Sequence, residues 1–232
     1  MIPIRDDQPC FTTPVVTYFL IAVNLLILLL QSAMTARGQE ALIAQFALIP
    51  THVELGLAGG AGGLPGAVLP LFTSMFLHGG WMHVLGNVWV LWIFGDNIED
   101  YLGRLPYLFF YVLCGLAAAV LHVALNWGSR VPTVGASGAI AGVMGAYLLL
   151  YPRARVATIF PPIFFFTLPA WIVLGYWMAA QLLSGALTGV ARAGRADTGG
   201  IAFWAHVGGF LSGMALIKIL PERSGRYRYG TW

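Results

Sequence analysis

Apolar runs the length of membrane spans alternate along this chain with short clusters of Gly, Pro and charge. Pro14 opens a run from Val15 to Leu30, which predicts a first spanning helix. Further spans are predicted at about Trp81 to Phe94, Leu105 to Leu125, Ser137 to Tyr151, Ile163 to Leu187 and Gly200 to Leu220. The second ends in Gly95-Asp96-Asn97-Ile98-Glu99-Asp100, Pro152 stops the fourth and Pro221 the sixth, and Pro169 predicts a kink inside the fifth. Residues 34–80 are apolar but interrupted by Gly and Pro, so they predict short helices lying in the membrane interface rather than a span.

Composition carries the same message. Of 232 residues, 59% are hydrophobic and 9% charged, and the mean hydropathy is +0.79. A soluble domain carries about 25% charge, so this chain has too little polar surface for water and belongs in a bilayer. At roughly 20 residues per span the length suits six helices and leaves no room for a second, soluble domain. The fold class expected is an all-α membrane protein with six transmembrane helices and a long interfacial first loop. Its parts are a short cytoplasmic N-terminus (1–13), the six-helix domain (14–220) and a basic cytoplasmic tail (221–232). A signal peptide fits less well than a retained first helix, because Asp6 and Asp7 outweigh Arg5 before a run too long for an h-region.

With the N-terminus inside, Arg5, Arg104, Arg153, Arg155, Lys218, Arg223, Arg226 and Arg228 fall on the inner side. Only Arg37, Arg130, Arg192 and Arg195 fall outside, which predicts both termini on the inner face. The net charge of +3 is small and scattered and points to no nucleic acid. Cys10 and Cys114 make no disulfide framework, and neither has a neighbour that would activate a thiol.

Polar groups inside a membrane are costly and mark function. Here they are His78, His83 and Asn87 around span two, Ser137 at the start of span four and His206 near the start of span six. His83 and Asn87 share one helical face. Spans two, four and six run in the same direction, so His83, Ser137 and His206 fall at similar depth. Span four is about 22 Å long against a hydrocarbon core of about 30 Å, which recesses Ser137 below the outer surface. Gly138/Gly142 and Gly209/Gly213 are small-xxx-small pairs that let spans four and six approach closely.

Ser137 is open to two readings. It is a helix cap, or a nucleophile whose flanking glycines admit a substrate backbone and whose helix start offers N–H groups to an oxyanion. A nucleophile needs a base, and His206 is the candidate. No carboxylate is placed to complete a triad: Glu99 and Asp100 lie at the inner end of span two, and Asp197 lies in an outer loop. The residues therefore argue for a Ser–His dyad, with the Ser137 N–H, Asn87 and His83 as oxyanion donors.

No metal or other cofactor is expected, because His78, His83 and His206 have no carboxylate or Cys beside them. His122 reads as a packed or interfacial histidine with no assigned role, and His52 as solvated. Glu99 reads as a partner of Arg104, and Trp81, Trp171, Tyr176, Trp177 and Trp204 read as belt or core residues.

These motifs, in this order, resemble those of the rhomboid family of intramembrane serine proteases. The likeness rests on His78-Gly-Gly-Trp-Met-His83-Val-Leu-Gly-Asn87, Gly135-Ala-Ser137-Gly138 and Ala205-His206-Val-Gly208-Gly209. The inner turn from Gly95 to Arg104 is also similar. The resemblance covers roughly residues 14–220 and implies Ser137 as nucleophile, His206 as base, and His83, Asn87 and the Ser137 N–H as the oxyanion hole. It implies that substrate enters past span five and the loop before Ser137, and that the fold is the six-helix core without a seventh helix. Two positions depart from the family: Ala141 replaces the aromatic that stacks under the histidine, and the first loop lacks a Trp-Arg pair.

The implied activity is hydrolysis of peptide bonds in or beside the transmembrane segments of single-span or other membrane proteins. Membrane lipid is the other partner, and the absence of a targeting extension fits a multi-pass protein of a bacterial inner membrane, with its site open to the outer side. The alternatives are a non-catalytic relative that binds and escorts membrane proteins, which would lack the serine or the histidine, and a transporter, which would carry inverted repeats.

Overall fold

The computed structural model describes residues 1–60, 62–160, 163–192 and 202–223. Six helices make the bundle: α1 (Val15–Ser32), α5 (Trp81–Leu102), α6 (Arg104–Leu125), α7 (Ser137–Leu150), α8 (Ala170–Arg192) and α9 (Phe203–Ile219). Between α1 and α5 lie α2 (Ala36–Phe46), α3 (Pro50–Leu57) and α4 (Gly63–Thr73), the short helices expected of the first connection. Among the described residues α1, α6 and α8 have both the length and the hydropathy to cross a membrane unaided; α7 and α9 are apolar but shorter.

α7 is the buried centre, with every residue from Gly138 to Tyr147 buried. Its neighbours reach it through glycine. A Cβ on Gly209 would stand 1.8 Å from the Gly138 carbonyl oxygen, one on Gly213 2.0 Å from that of Gly142, and one on Gly145 2.1 Å from that of Phe210. On the other side a Cβ on Gly142 would meet the Cys114 side chain at 2.4 Å. The two predicted glycine pairs thus form the α7–α9 contact, backbone against backbone.

Three features differ from expectation. α5 runs on through Gly95-Asp96-Asn97-Ile98-Glu99-Asp100 instead of ending at Phe94. The polar residues of this last stretch bind the N-terminal segment. Glu99, 1% exposed, accepts from the Val16 and Thr17 N–H groups (2.9 and 2.8 Å) and from the Thr17 hydroxyl (2.9 Å). The carboxylate therefore serves the unpaired N–H groups at the start of α1, where the helix dipole favours an anion. This is a different partnership from the pairing with Arg104 expected above. Thr12 donates to Asp100 (2.6 Å) and Asn97 to the Gln8 carbonyl (3.2 Å).

The second difference is a three-stranded antiparallel sheet added to the helical fold, in the order β1 (Ile2–Asp6), β2 (Arg155–Phe160), β3 (Phe164–Pro169). β2 and β3 pair from Arg155↔Pro169 to Phe160↔Phe164, and β1 joins β2 with Asp6 opposite Val156 and Ile2 opposite Ile159. β1 lies along α5, where the Trp89 indole donates to the Pro3 carbonyl (2.7 Å). The third difference follows: residues 164–169 are strand, so the fifth helix begins at Ala170, and Pro169 closes a strand rather than kinking a helix. Proline fits a strand end because it has no N–H to give to a ladder.

Asp6, at the inner end of β1, accepts a hydrogen bond from the buried Tyr147 hydroxyl of α7. Burial pushes the Asp6 carboxyl up from 3.8 to about 6, against the opposing effect of that hydrogen bond. Between those values the folded protein holds a proton that the unfolded chain has released, so this group's contribution to stability is lost as pH rises through about 6. Melting temperatures measured from pH 4 to pH 7 are expected to show this decline in the wild type and a flatter profile in Asp6→Asn.

Candidate active site

Ser137 is the first residue of α7, and its helix start is uncapped by any side chain. The cap reading therefore fails: Ala136 occupies the N-cap position, and the Ser137 hydroxyl turns instead to α9. Ser137 Oγ lies 2.8 Å from His206 Nε2. This distance is a product of the glycine contact one turn further down, which holds the two helix starts together. His206 is buried, at 8% exposure, while Ser137 is partly open to a cavity of about 540 Å³.

That cavity also receives His83, Gly86 and Asn87 from α5, Pro132 to Val134 from the preceding loop, and Trp177 from α8. His83 and Asn87 line it beside Ser137, so all four predicted side chains converge. The loop before Ser137 is held by backbone pairing: Leu48 exchanges hydrogen bonds with Thr133 (3.0 and 2.8 Å), and the Gly135 N–H donates to Ser74 (2.8 Å). Gly135 has φ +126°, and a Cβ there would stand 2.8 Å from both Cε1 and Nε2 of His83. Glycine is required twice over, by the dihedral and by the approach of the histidine.

Hydrogen bonds behind the cavity wall orient Asn87. His78, in the turn ahead of α5, shares reciprocal bonds with Gln31 of α1: its N–H donates to Oε1 (3.1 Å) and its carbonyl accepts from Nε2 (3.2 Å). Burial, reinforced by nearby His83, pushes the His78 imidazolium down to about 4, so the ring is neutral. Its Nδ1 lies 3.2 Å from the Phe76 carbonyl and its Nε2 lies 3.0 Å from Asn87 Nδ2. One tautomer satisfies both: Nδ1–H donates to Phe76, and Nε2 accepts from Asn87. The Asn87 amide is thereby fixed by one N–H and keeps the other for the cavity.

Two residues at the site were missed by sequence reasoning. Gln181 Oε1 lies 2.7 Å from His206 Nδ1. Trp177, read above as belt or core, packs on the His206 ring with centroids 5.5 Å apart and planes at 40°. It supplies from α8 the aromatic surface that Ala141 lacks. His122 is buried and pairs with Thr133 Oγ1 (2.9 Å), in the loop that lines the cavity. Asp197 lies outside the described residues, as do Arg226 and Arg228 of the tail.

A hydroxyl bonded to an imidazole, at an uncapped helix start beside an amide donor, is the arrangement of a serine nucleophile with its base and oxyanion donors. The class defined is a polytopic helical membrane protein with a Ser–His pair recessed among its helices. Comparison with known proteins makes the class specific: the Rhomboid domain matches residues 65–223, and the chain belongs to the rhomboid family.

Curated relatives include the mitochondrial presenilin-associated rhomboid-like protein of Homo sapiens, 34% identical over 100 residues, which are 42% of this chain and 26% of that protein. Rhomboid protein 1, mitochondrial, of Saccharomyces cerevisiae is 29% identical over 63% of this chain and 40% of its own length. RHOMBOID-like protein 6, mitochondrial, of Arabidopsis thaliana is 30% identical over 67% of this chain and 45% of its own length. The matched region is thus less than half of each of these relatives.

Gly135→Ala is expected to displace His83 and the loop ahead of Ser137. The rate at which a fluorophosphonate labels Ser137 should fall at least about 10-fold, the scale of loss for a misplaced reacting group, while the thermal transition is retained.

Proposed function

We propose that this protein is a serine endopeptidase that hydrolyses peptide bonds in or beside the transmembrane segments of other membrane proteins, single-span proteins among them. The observation that carries the reading is the 2.8 Å contact between Ser137 Oγ and His206 Nε2 at a glycine-lined helix start. His206 Nε2 takes the hydroxyl proton as Oγ attacks the scissile carbonyl. The oxyanion is met by the Ser137 N–H, the free N–H of Asn87 and the His83 ring. His206 then returns the proton to the leaving amine, and water resolves the acyl-enzyme by the same steps. A helical substrate has its carbonyls hydrogen-bonded, so the segment must unwind to reach Ser137, which favours helix-weakening sequences at the cut site.

Orientation with both termini on the inner side is supported by the contacts of α5. The N-terminal segment (Gln8, Thr12) and Arg223, whose N–H donates to the Tyr101 carbonyl (2.9 Å), meet the same end of that helix. The cavity then opens near the opposite, outer face. The relatives named above are mitochondrial, so a bacterial inner membrane draws its support from the sequence alone.

The test is cleavage of a single-span substrate by the purified protein in liposomes. Wild type is expected to cleave, and Ser137→Ala and His206→Ala are each expected to lose at least about 10³-fold. Undiminished cleavage by either variant refutes the assignment.

A further inference from the structure

His206 is held on three sides. Its Nε2 meets Ser137 Oγ at 2.8 Å, its Nδ1 meets Gln181 Oε1 at 2.7 Å, and its face lies against Trp177. Ser137 is the group it would deprotonate, so the other two are what set its orientation. Both come from α8, one helical turn apart and therefore on one face. Trp177 also lies 6.2 Å from Phe210, the residue one turn beyond His206 on α9, so its indole rests against both rings.

We propose that Gln181 is a positioning residue of the catalytic site: its amide oxygen accepts Nδ1–H of His206 and so leaves Nε2 unprotonated toward Ser137. This rests on the protease reading above and deepens it. A neutral imidazole carries one proton, on either nitrogen. With the proton on Nε2, His206 would donate to Ser137 and could not act as its base. A hydrogen-bond acceptor at Nδ1 selects the competent tautomer, the task a carboxylate performs in a catalytic triad.

An amide performs it here without placing a carboxylate inside the membrane, where charge is costly. When Nε2 takes the serine proton, the Nδ1–H···Oε1 bond becomes charge-assisted and stronger, so Gln181 stabilises the protonated base as it forms. The covalent steps are unchanged, and no proton moves to Gln181. Trp177 has the complementary task of fixing the ring plane from the face.

The test compares Gln181→Leu, which removes the acceptor at similar volume, with Gln181→Glu, which keeps an oxygen there. All are full-length protein in liposomes with a single-span substrate. Gln181→Leu is expected to lose on the order of 10- to 100-fold in kcat, the usual cost of losing an orienting partner of a histidine. KM should stay within about two-fold, and Ser137 labelling should slow in parallel with kcat. Gln181→Glu should recover most of the rate.

Nitrogen-15 spectra of histidine-labelled protein, with His206 assigned by its loss in His206→Ala, give a readout separate from turnover. Wild type is expected to show a protonated Nδ1 and a bare Nε2, and Gln181→Leu a mixture of tautomers. A Gln181→Leu variant with wild-type kcat, or with an unchanged tautomer, overturns the role of Gln181 and leaves the protease reading standing. Equal loss in Leu and Glu variants also overturns it, because packing alone would then explain the effect. A wild type that neither cleaves nor labels overturns the protease reading itself.

Discussion

Where α7 crosses α9 there is no space for a methyl group. Gly209 stands against the Gly138 carbonyl, Gly213 against that of Gly142, and Gly145 against that of Phe210. In a bilayer, apolar surface gains little by leaving lipid for protein, so helices associate through close packing and polar contacts. Backbone approach of this kind gives the most of both. It also fixes the register of the two helices, and with it the meeting of Ser137 and His206, one near the start of each. The remaining elements locate groups around that pair: α5 brings His83 and Asn87, the Leu48–Thr133 pairing steadies the loop above, and α8 lays Trp177 and Gln181 against His206.

The half of the molecule that holds the start of α1 is fixed by polar contacts of α5. Glu99 caps α1, while Asn97 and Asp100 bind the segment ahead of it. Removing this buried carboxylate strands two N–H groups and a hydroxyl at once, each costing about 1–3 kcal/mol when left unpaired. At the opposite half, Gln31 of α1 clasps the backbone of His78, and His78 in turn orients Asn87. α1 thus acts on the site at a distance, through two hydrogen-bonded steps.

Much of this was legible in the sequence. Span positions followed from apolar runs and their Pro and Gly stops, and the α7–α9 contact from the two glycine pairs. The convergence of Ser137, His206, His83 and Asn87 followed from matching depths. The sheet was not legible in the same way. Residues 163–169 are apolar and continuous with the helix after them, and a short apolar run does not tell strand from helix by period. The β-branched and aromatic content of Arg155-Val-Ala-Thr-Ile-Phe160 and Phe164-Phe-Phe-Thr-Leu-Pro169, split by Pro161-Pro162, was the available signal. Partners chosen by rotation escaped too. Nothing in the order of residues tells which face of α8 turns to α9, so Trp177 read as belt or core and Gln181 drew no reading. Glu99 likewise has Arg104 nearby in sequence, but it points to the start of α1.

Backbone contact between α7 and α9 sets the distance between Ser137 and His206. The rate at which a fluorophosphonate labels Ser137 in Gly209→Ala, a variant that keeps every polar group of the site, measures that dependence. A Cβ there would stand 1.8 Å from the Gly138 carbonyl oxygen and must part the helices. Labelling is expected to slow by at least about 10-fold, the scale of loss for a misplaced reacting group, in a protein that still shows a cooperative thermal transition. Labelling at the wild-type rate would mean that the glycine contact does not set the pair.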